Sequence, residues 1–374
     1  MIVPALSHRD MANRQDAERL ARTGEIALIV PNDAGEADTR ALALCRLVPC
    51  RVGEALQCVE TARAYLRAGA ARVVIAESAT RSYEATTLPR NRVIVALQRP
   101  FYDAPARAAD LASRWSGFFL EGSDEDLGTM IAVATAIRSL VSEPVTIGRT
   151  AATIAEIVEC DRRGIDLQIP LDATHAVRFC IAAFCGCANF ERANGLIPTV
   201  VCDAGDGVVR MLAYSSPASL EAALTEGAGI FWSRRRKRLW RKGESSGCVQ
   251  ELVRAELDCD RDALVFHVRQ HGATCHTGSE RCFGSRPFRW ETLERRIAER
   301  ASSSPRASYT ARLLAEPDLL AAKLREEVEE LIRAERSDEV AWEGADLLYF
   351  LTVRLRQAGV TTHDVLAQLA SRAV

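Results

Sequence analysis

ARVVIAESATRSYEATTLPRNRVIVAL, residues 71–97, sets two short apolar runs of β type, ARVVIA and RVIVAL, on either side of a more polar stretch. Runs without polar alternation suit strands covered on both faces, which is the parallel arrangement. The same unit recurs in both directions. IALIV (26–30) and CRLVPC (45–50) precede it, and GFFLE (117–121), PVTIG (144–148) and DLQIP (166–170) follow, with helical patterns such as Glu54–Ala68 and Asp124–Leu140 between them. From Glu25 to about Ala183 this rhythm predicts an α/β domain, barrel-like or half-barrel, assigned to residues 1–194. Catalytic βα domains carry glycine-rich phosphate turns or charged strand ends. Only Asn32-Asp33, Glu77 and Arg149 qualify here, so a non-catalytic scaffold is expected.

A length of 374 residues leaves room for two or three domains. Near Asn194-Gly195 the pattern changes to antiparallel-type strands, from TVVCDAGDGVVRMLAY (199–214) to LDCDRDALVFHVRQ (257–270). This predicts a mainly β domain of α+β type over 195–300. Ala301–Ser308 reads as a polar linker, and 307–374 as an all-α domain. With 48 Lys+Arg against 50 Asp+Glu, no global field draws the chain to nucleic acid or a membrane, and neither is expected as a partner. A mean hydropathy of -0.05 fits a soluble protein. No apolar run has spanning length, and MIVPALSHRDMANRQ lacks the layout of a secretory leader. Cytoplasmic residence follows as an expectation. The 12 cysteines then read as reduced thiols or metal ligands.

In the helical part, Glu327 and Glu330 stand three apart on one helix, and Glu343 and Asp346 three apart on the next, across an expected two-residue turn. Each pair shares a face. Opposed faces bring four carboxylates into a small volume, which is costly unless a divalent cation neutralises it. Magnesium prefers such oxygen ligands and also binds polyphosphate. Lys323, one turn ahead, is placed to meet a phosphate. A solvated acidic face is the plain alternative, and two paired motifs in register argue against it. Pro317 marks a helix start, Ser337-Asp338 a cap, Gly359 a stop, and Thr361-x-x-Asp364 a capping-box variant.

Asp258-Cys259-Asp260-Arg261-Asp262 lies in a strand pattern, whose period of two would put three carboxylates on one side and Cys259 on the other. The carboxylates suit magnesium and the thiolate zinc. Cys275-His276-Thr277-Gly278 and Cys282 add two thiols and a histidine in a loop. Cys45, Cys50, Cys58, Cys160 and Cys202, and the group Cys180, Cys185 and Cys187, are read as small core residues. Between Trp232 and Gly247, WSRRRKRLWRKGESSG is strongly basic, flanked by two tryptophans. Taken alone, that run is also compatible with a zinc-stabilised nucleic-acid module.

Two resemblances sharpen these readings. SYTARLL (308–314), KLREEVEE (323–330) and WEGADLLYFL (342–351) resemble phosphoribosyl-ATP pyrophosphohydrolase, an all-α nucleotide pyrophosphohydrolase, with Phe350 where bacterial members commonly have His. YSSPASLEAAL (214–224), FWSRRRKRLWRKGESSG (231–247), LDCDRDAL (257–264) and CHTGSERCF (275–283) resemble phosphoribosyl-AMP cyclohydrolase in order and spacing. The first resemblance implies that Glu327, Glu330, Glu343 and Asp346 hold magnesium and catalyse, with Lys323 on substrate. The second implies zinc on Cys259, Cys275 and Cys282, drawn from both subunits of a homodimer, and magnesium on Asp258, Asp260 and Asp262. It also implies hydroxide attack on C6 of the purine, with N1 leaving and His276 moving the proton. Arg234, Arg236, Trp240, Arg241, Lys242, Glu244 and Ser245 would bind the phosphoribosyl-AMP. Cys248 stands where many relatives have His. A house-cleaning pyrophosphohydrolase joined to a zinc deaminase is the second enzymatic reading.

The order of parts resembles the front of the fungal-type multifunctional histidine biosynthesis protein. In that type a histidinol dehydrogenase follows, and that activity is not expected of these residues. VTIGRTAATIAEIVECDRRGIDLQI (145–169) resembles a stretch of the barrel isomerase of the same pathway, whose activity is not carried over. The expectation is a bifunctional hydrolase acting on phosphoribosyl-ATP and then phosphoribosyl-AMP.

Overall fold

Strands form along most of the apolar runs and close on themselves. The computed structural model describes residues 2–7, 14–30, 37–84, 88–122, 125–141, 143, 145–284, 288–301 and 308–370. β1 (Ile2–Ser7), β2 (Ile26–Ile29), β3 (Cys50–Leu56), β4 (Arg72–Ala76), β5 (Val93–Leu97), β6 (Gly117–Glu121), β7 (Val145–Gly148) and β8 (Ile165–Pro170) pair in parallel in chain order. β8 pairs back onto β1, Ile2 opposite Leu167, so the half-barrel alternative falls. Side chains alternate as the pleat requires. Leu6, Val73, Ile75, Val93 and Val95 join the buried layer shared with the helices. Val3, Ala5 and Ala27, and Val74, Ile94, Ala96 and Phe119, form two separate clusters inside the barrel.

Two strand expectations shift. The βα rhythm read from Glu25 onward does not include IVPALS, yet this run forms β1, the strand that closes the barrel between β2 and β8. CRLVPC is not a strand: Cys45 ends a helix begun at Thr39, whose N-cap Asp38 accepts from the Arg40 and Ala41 N–H groups at 2.9 Å each. Pro49 then interrupts the chain, and the strand starts at Cys50. The barrel interior also holds a charge that the pattern did not announce. Arg51 is buried, with its guanidinium 2.7 Å from Glu25 and hydrogen-bonded to Thr146 Oγ1 at 2.7 Å. Of the expected strand-end residues, Asn32 and Asp33 lie outside the described residues. Glu77 accepts from Arg107 at 2.6 Å and from the Gln98 N–H at 2.8 Å, while Arg149 donates to the Glu125 carbonyl at 2.7 Å.

The last barrel helix, Ala173–Cys187, carries two apolar stripes. Ala176, Cys180, Ala183 and Cys187 face the barrel core, whereas Ile181 and Phe184 belong to the core of the next domain. Burial pushes the thiols of Cys180, Cys185 and Cys187 up to about 12, as fits core residues. That next domain is a sheet of β9 (Ile197–Asp203), β10 (Val209–Ser215), β13 (Gln250–Leu257) and β14 (Leu264–Gln270), plus a hairpin of β11 (Ile230–Ser233) and β12 (Arg238–Arg241). Strand order is β10-β9-β14-β13. The outer pairs are antiparallel as expected, but β14 and β9 run parallel.

The chain divides into two compact units, residues 1–285 and 286–373. Helix Trp290–Ala301, placed by the sequence reading at the end of the central domain, packs in the second unit. Trp290 Nε1 donates to Thr352 Oγ1 at 2.7 Å, and Ile297 joins Leu313, Leu320, Phe350 and Val353 in one core. Linker residues 302–307 lie outside the described residues. Helix Pro317–Arg333 starts on its proline, and residues 334–336, one more than the expected two, lead to helix Ser337–Gln357. Thr361 and Asp364 exchange hydrogen bonds at the start of the last helix, Thr362–Ala370. Among the described residues no helix is long and apolar enough to cross a membrane.

Candidate active sites

The helical hairpin brings its four carboxylates together. Ligand atoms of Glu327, Glu343 and Asp346 lie within 4.8 Å of one another, as do those of Glu326, Glu327 and Glu330. Glu326 was not singled out by the spacing argument. Glu327 is buried; burial raises its carboxyl above the ordinary range, and the Asp346 charge adds to this. Burial likewise raises Glu343, followed by the charge of Glu330. Lys323 lies 2.8 Å from Glu326 and 3.8 Å from Glu327, over the Phe350 ring. Carboxylates held at this cost fit a hard divalent cation.

In the β domain, Asp258, Asp260 and Asp262 also converge, their ligand atoms within 4.8 Å. They do so by another route than the expected strand alternation, because β13 ends at Leu257 and residues 258–263 form the connection to β14. Asp258 closes it: the Ala263 N–H donates to its Oδ1 at 3.0 Å, and its own N–H to the Ala263 carbonyl at 3.1 Å. Arg192 spans two of the carboxylates, 2.7 Å from Asp260 and 2.8 Å from Asp262. The guanidinium thus partners two of the three carboxylates in this structure. Arg192 comes from a distant turn, and no spacing in the sequence connects it to the loop.

Cys275 and Cys282 are near enough for each thiol to perturb the other. The turn that joins them is tight: the Cys275 N–H donates to the Ser279 carbonyl at 2.9 Å, and Gly278 takes φ 85°. The Cys282 N–H donates to the Arg210 carbonyl at 2.7 Å. Hydrogen bonds from Thr277 hold the Cys275 thiol below its ordinary range, whereas burial and the neighbouring Cys275 raise Cys282. Two neighbouring thiols of this kind are candidate ligands for a soft metal. His276 is exposed, its Nδ1 3.7 Å from Cys275 Sγ. Cys259 is exposed and does not join the pair. Cys259 lies in the connection that precedes β14, and Cys275 and Cys282 in the segment that follows it.

The predicted substrate residues divide. Lys242 is buried close enough to Cys282 to act on its charge. Arg234 and Arg236 sit in the turn of the β11–β12 hairpin, Arg234 with its guanidinium 3.7 Å from the Tyr214 ring centre. Arg241 pairs with Glu226, and Trp240 packs on Phe231 with ring centres 5.9 Å apart. The Glu244 N–H donates to the Arg241 carbonyl at 3.2 Å, and Ser245 is exposed. Cys248 is half-buried beside Gly272.

Residues 211–284 match the phosphoribosyl-AMP cyclohydrolase family, and residues 290–373 match the phosphoribosyl-ATP pyrophosphohydrolase family. The chain therefore carries two hydrolase-family domains in tandem. The histidine biosynthesis bifunctional protein HisIE of Escherichia coli K12 is 39% identical over 191 residues, 49% of this chain and 94% of that one. Its Xanthomonas campestris counterpart is 40% identical over 189 residues, 49% of this chain and 92% of that one. The chain belongs to this bifunctional cyclohydrolase and pyrophosphohydrolase family of histidine biosynthesis. The trifunctional histidine biosynthesis protein of Neurospora crassa is 46% identical over 175 residues, 47% of this chain, and this chain spans only 20% of its length.

Proposed function

We propose that the helical unit removes pyrophosphate from phosphoribosyl-ATP and that the β domain opens the adenine ring of the resulting phosphoribosyl-AMP between N1 and C6. The observation that carries this reading is the convergence of Glu327, Glu330, Glu343 and Asp346 in one unit, with a carboxylate loop and a thiol pair in the other. In the helical unit, Glu327, Glu343 and Asp346, with Glu330 beside them, would hold magnesium, which supplies charge neutralisation of the triphosphate and a more acidic water. Lys323 offers its ammonium to a phosphate. Phosphoribosyl-ATP and water give phosphoribosyl-AMP and pyrophosphate.

In the β domain, Cys275 and Cys282 would hold zinc together with Cys259 of a second chain, and Asp258, Asp260 and Asp262 would hold magnesium. Zinc supplies water that is deprotonated near neutral pH. Oxygen adds at C6, the N1–C6 bond breaks, and His276 carries the proton to the departing nitrogen. Arg234, Arg236, Trp240, Arg241, Lys242, Glu244 and Ser245 would bind the two phosphates and the base. Residues 1–194 would be a scaffold rather than a third active site, and the assembly a cytoplasmic homodimer.

The test is to incubate purified chain with phosphoribosyl-ATP, magnesium and zinc and to resolve nucleotides and pyrophosphate over time. Ring-opened product with pyrophosphate is expected, and untouched substrate would overturn the reading. Cys275→Ser should stop ring opening and leave pyrophosphate release; Glu327→Gln should do the reverse. Loss of both activities in either variant would contradict two independent sites.

A further inference from the structure

The carboxylate loop between β13 and β14 is tied to the barrel by one side chain. Arg261 stands within it at φ 65°, a left-handed conformation that residues other than Gly, Asn and Asp seldom adopt. Its guanidinium leaves the loop for the barrel helix Ile154–Arg162. Nη2 donates to Asp161 Oδ1 at 2.8 Å, and Nε lies 2.7 Å from Oδ2. Asp161 is buried, its side chain 2% exposed, so this end of the pair is fixed in the barrel wall. Arg261 also grips its own loop: Nη1 donates to the Asp258 carbonyl at 3.0 Å. Its carbonyl in turn accepts the Asn189 N–H, just beyond the last barrel helix, at 2.7 Å. A charge-assisted pair of this kind is directional as well as attractive, and it fixes geometry more than it adds stability.

We infer that the barrel is a positioning element of the ring-opening site, in which Asp161, acting through Arg261, holds the Asp258–Asp262 loop in the shape that lets its three carboxylates share one cation. This rests on the proposed reading of that loop as a magnesium site. It also gives the barrel a part in the reaction without any catalytic group of its own. The Escherichia coli relative is matched over 94% of its length by 49% of this chain, which leaves it no room for a barrel. The dependence is therefore a property of the chain that carries the barrel.

The experiment is a manganese titration of the full-length chain by electron paramagnetic resonance, with hydrogen exchange of residues 258–263 followed in parallel. Manganese held by the loop is the component that Asp260→Asn removes. Asp161→Asn and Arg261→Gly should each weaken that component roughly 10- to 100-fold, as loss of a group that orients a ligand does. They should speed exchange in the loop and leave pyrophosphate release unchanged. Glycine takes φ 65° without strain, so Arg261→Gly removes the pair with Asp161 and the bond to the Asp258 carbonyl together without straining the backbone, and it decides whether the Arg261 side chain holds the loop if Asp161→Asn does not fold. Wild-type manganese affinity and loop exchange in Arg261→Gly would overturn the inference. If Asp260→Asn removes no manganese, the magnesium reading of the loop fails first and the inference falls with it.

Discussion

Glu327 shows how far the helical site depends on a cation. Burial, then the charge of Asp346, raises its carboxyl, and only Lys323 works in the opposite sense. A carboxyl whose pKa is higher in the folded state favours folding while protonated, below its ordinary value of 4.5, and that contribution is lost as the pH rises through the raised value. Glu343 has the same sign. Without metal, the unfolding transition of the helical unit should therefore fall by a few degrees between pH 4.5 and neutrality. Magnesium should restore it at neutral pH and do little at pH 4.5. Glu327→Gln should raise the metal-free transition at pH 7 while abolishing pyrophosphate release; calorimetry at both pH values checks this, and a variant melting below the parent would refute it. These carboxylates were legible because three-residue spacing on a helix is a local property. Arg192 and Asp161 were not, because each reaches the carboxylate loop from an element far away in sequence.

Helix Ala173–Cys187 is the element on which the first two domains depend together. Its 3.6-residue period lets Cys180 and Ala183 face the barrel while Ile181 and Phe184 face the β sheet. In sequence the segment is a single apolar helix, and only its two neighbours reveal that it has two buried stripes. Removing residues 1–190 takes Ile181 and Phe184 out of the β core, and burial of two such side chains is worth roughly 3–6 kcal/mol. That is comparable with the whole stability of a domain. Such a truncation should lose its cooperative melt and its ring-opening activity, whereas a chain starting at residue 173 should keep the β core. Urea unfolding of the two truncations tests this, and equal midpoints would refute it. The carboxylate loop teaches the same lesson at smaller scale: alternate aspartates suggested a strand, but the closure of Asp258 on Ala263 makes them a turn, which still gathers the three carboxylates.

At the scale of the whole molecule, Cys259 stands exposed before β14 and the Cys275–Cys282 pair after it, and the three thiols are not gathered into one cluster among the described residues. If two chains share it, mixing Cys259→Ser with Cys275→Ser, each inactive in ring opening alone, should restore about a quarter of wild-type activity. Half of randomly mixed dimers are mixed, and each of those keeps one intact site of two. No recovery after denaturation and renaturation together would exclude sharing across a two-fold interface. By itself, the sequence determined the βα rhythm, the helical hairpin with its paired acids, and the families to which residues 211–284 and 290–373 belong. All of these rest on local periodicity or contiguous motifs. Only the tertiary structure decided that the barrel closes through β1, that Trp290–Ala301 packs with the helices, and that Arg261 ties the carboxylate loop to Asp161. Each of these is a pairing between residues far apart in the chain, formed because a buried edge, an apolar face or a buried charge needs a partner that local sequence does not supply.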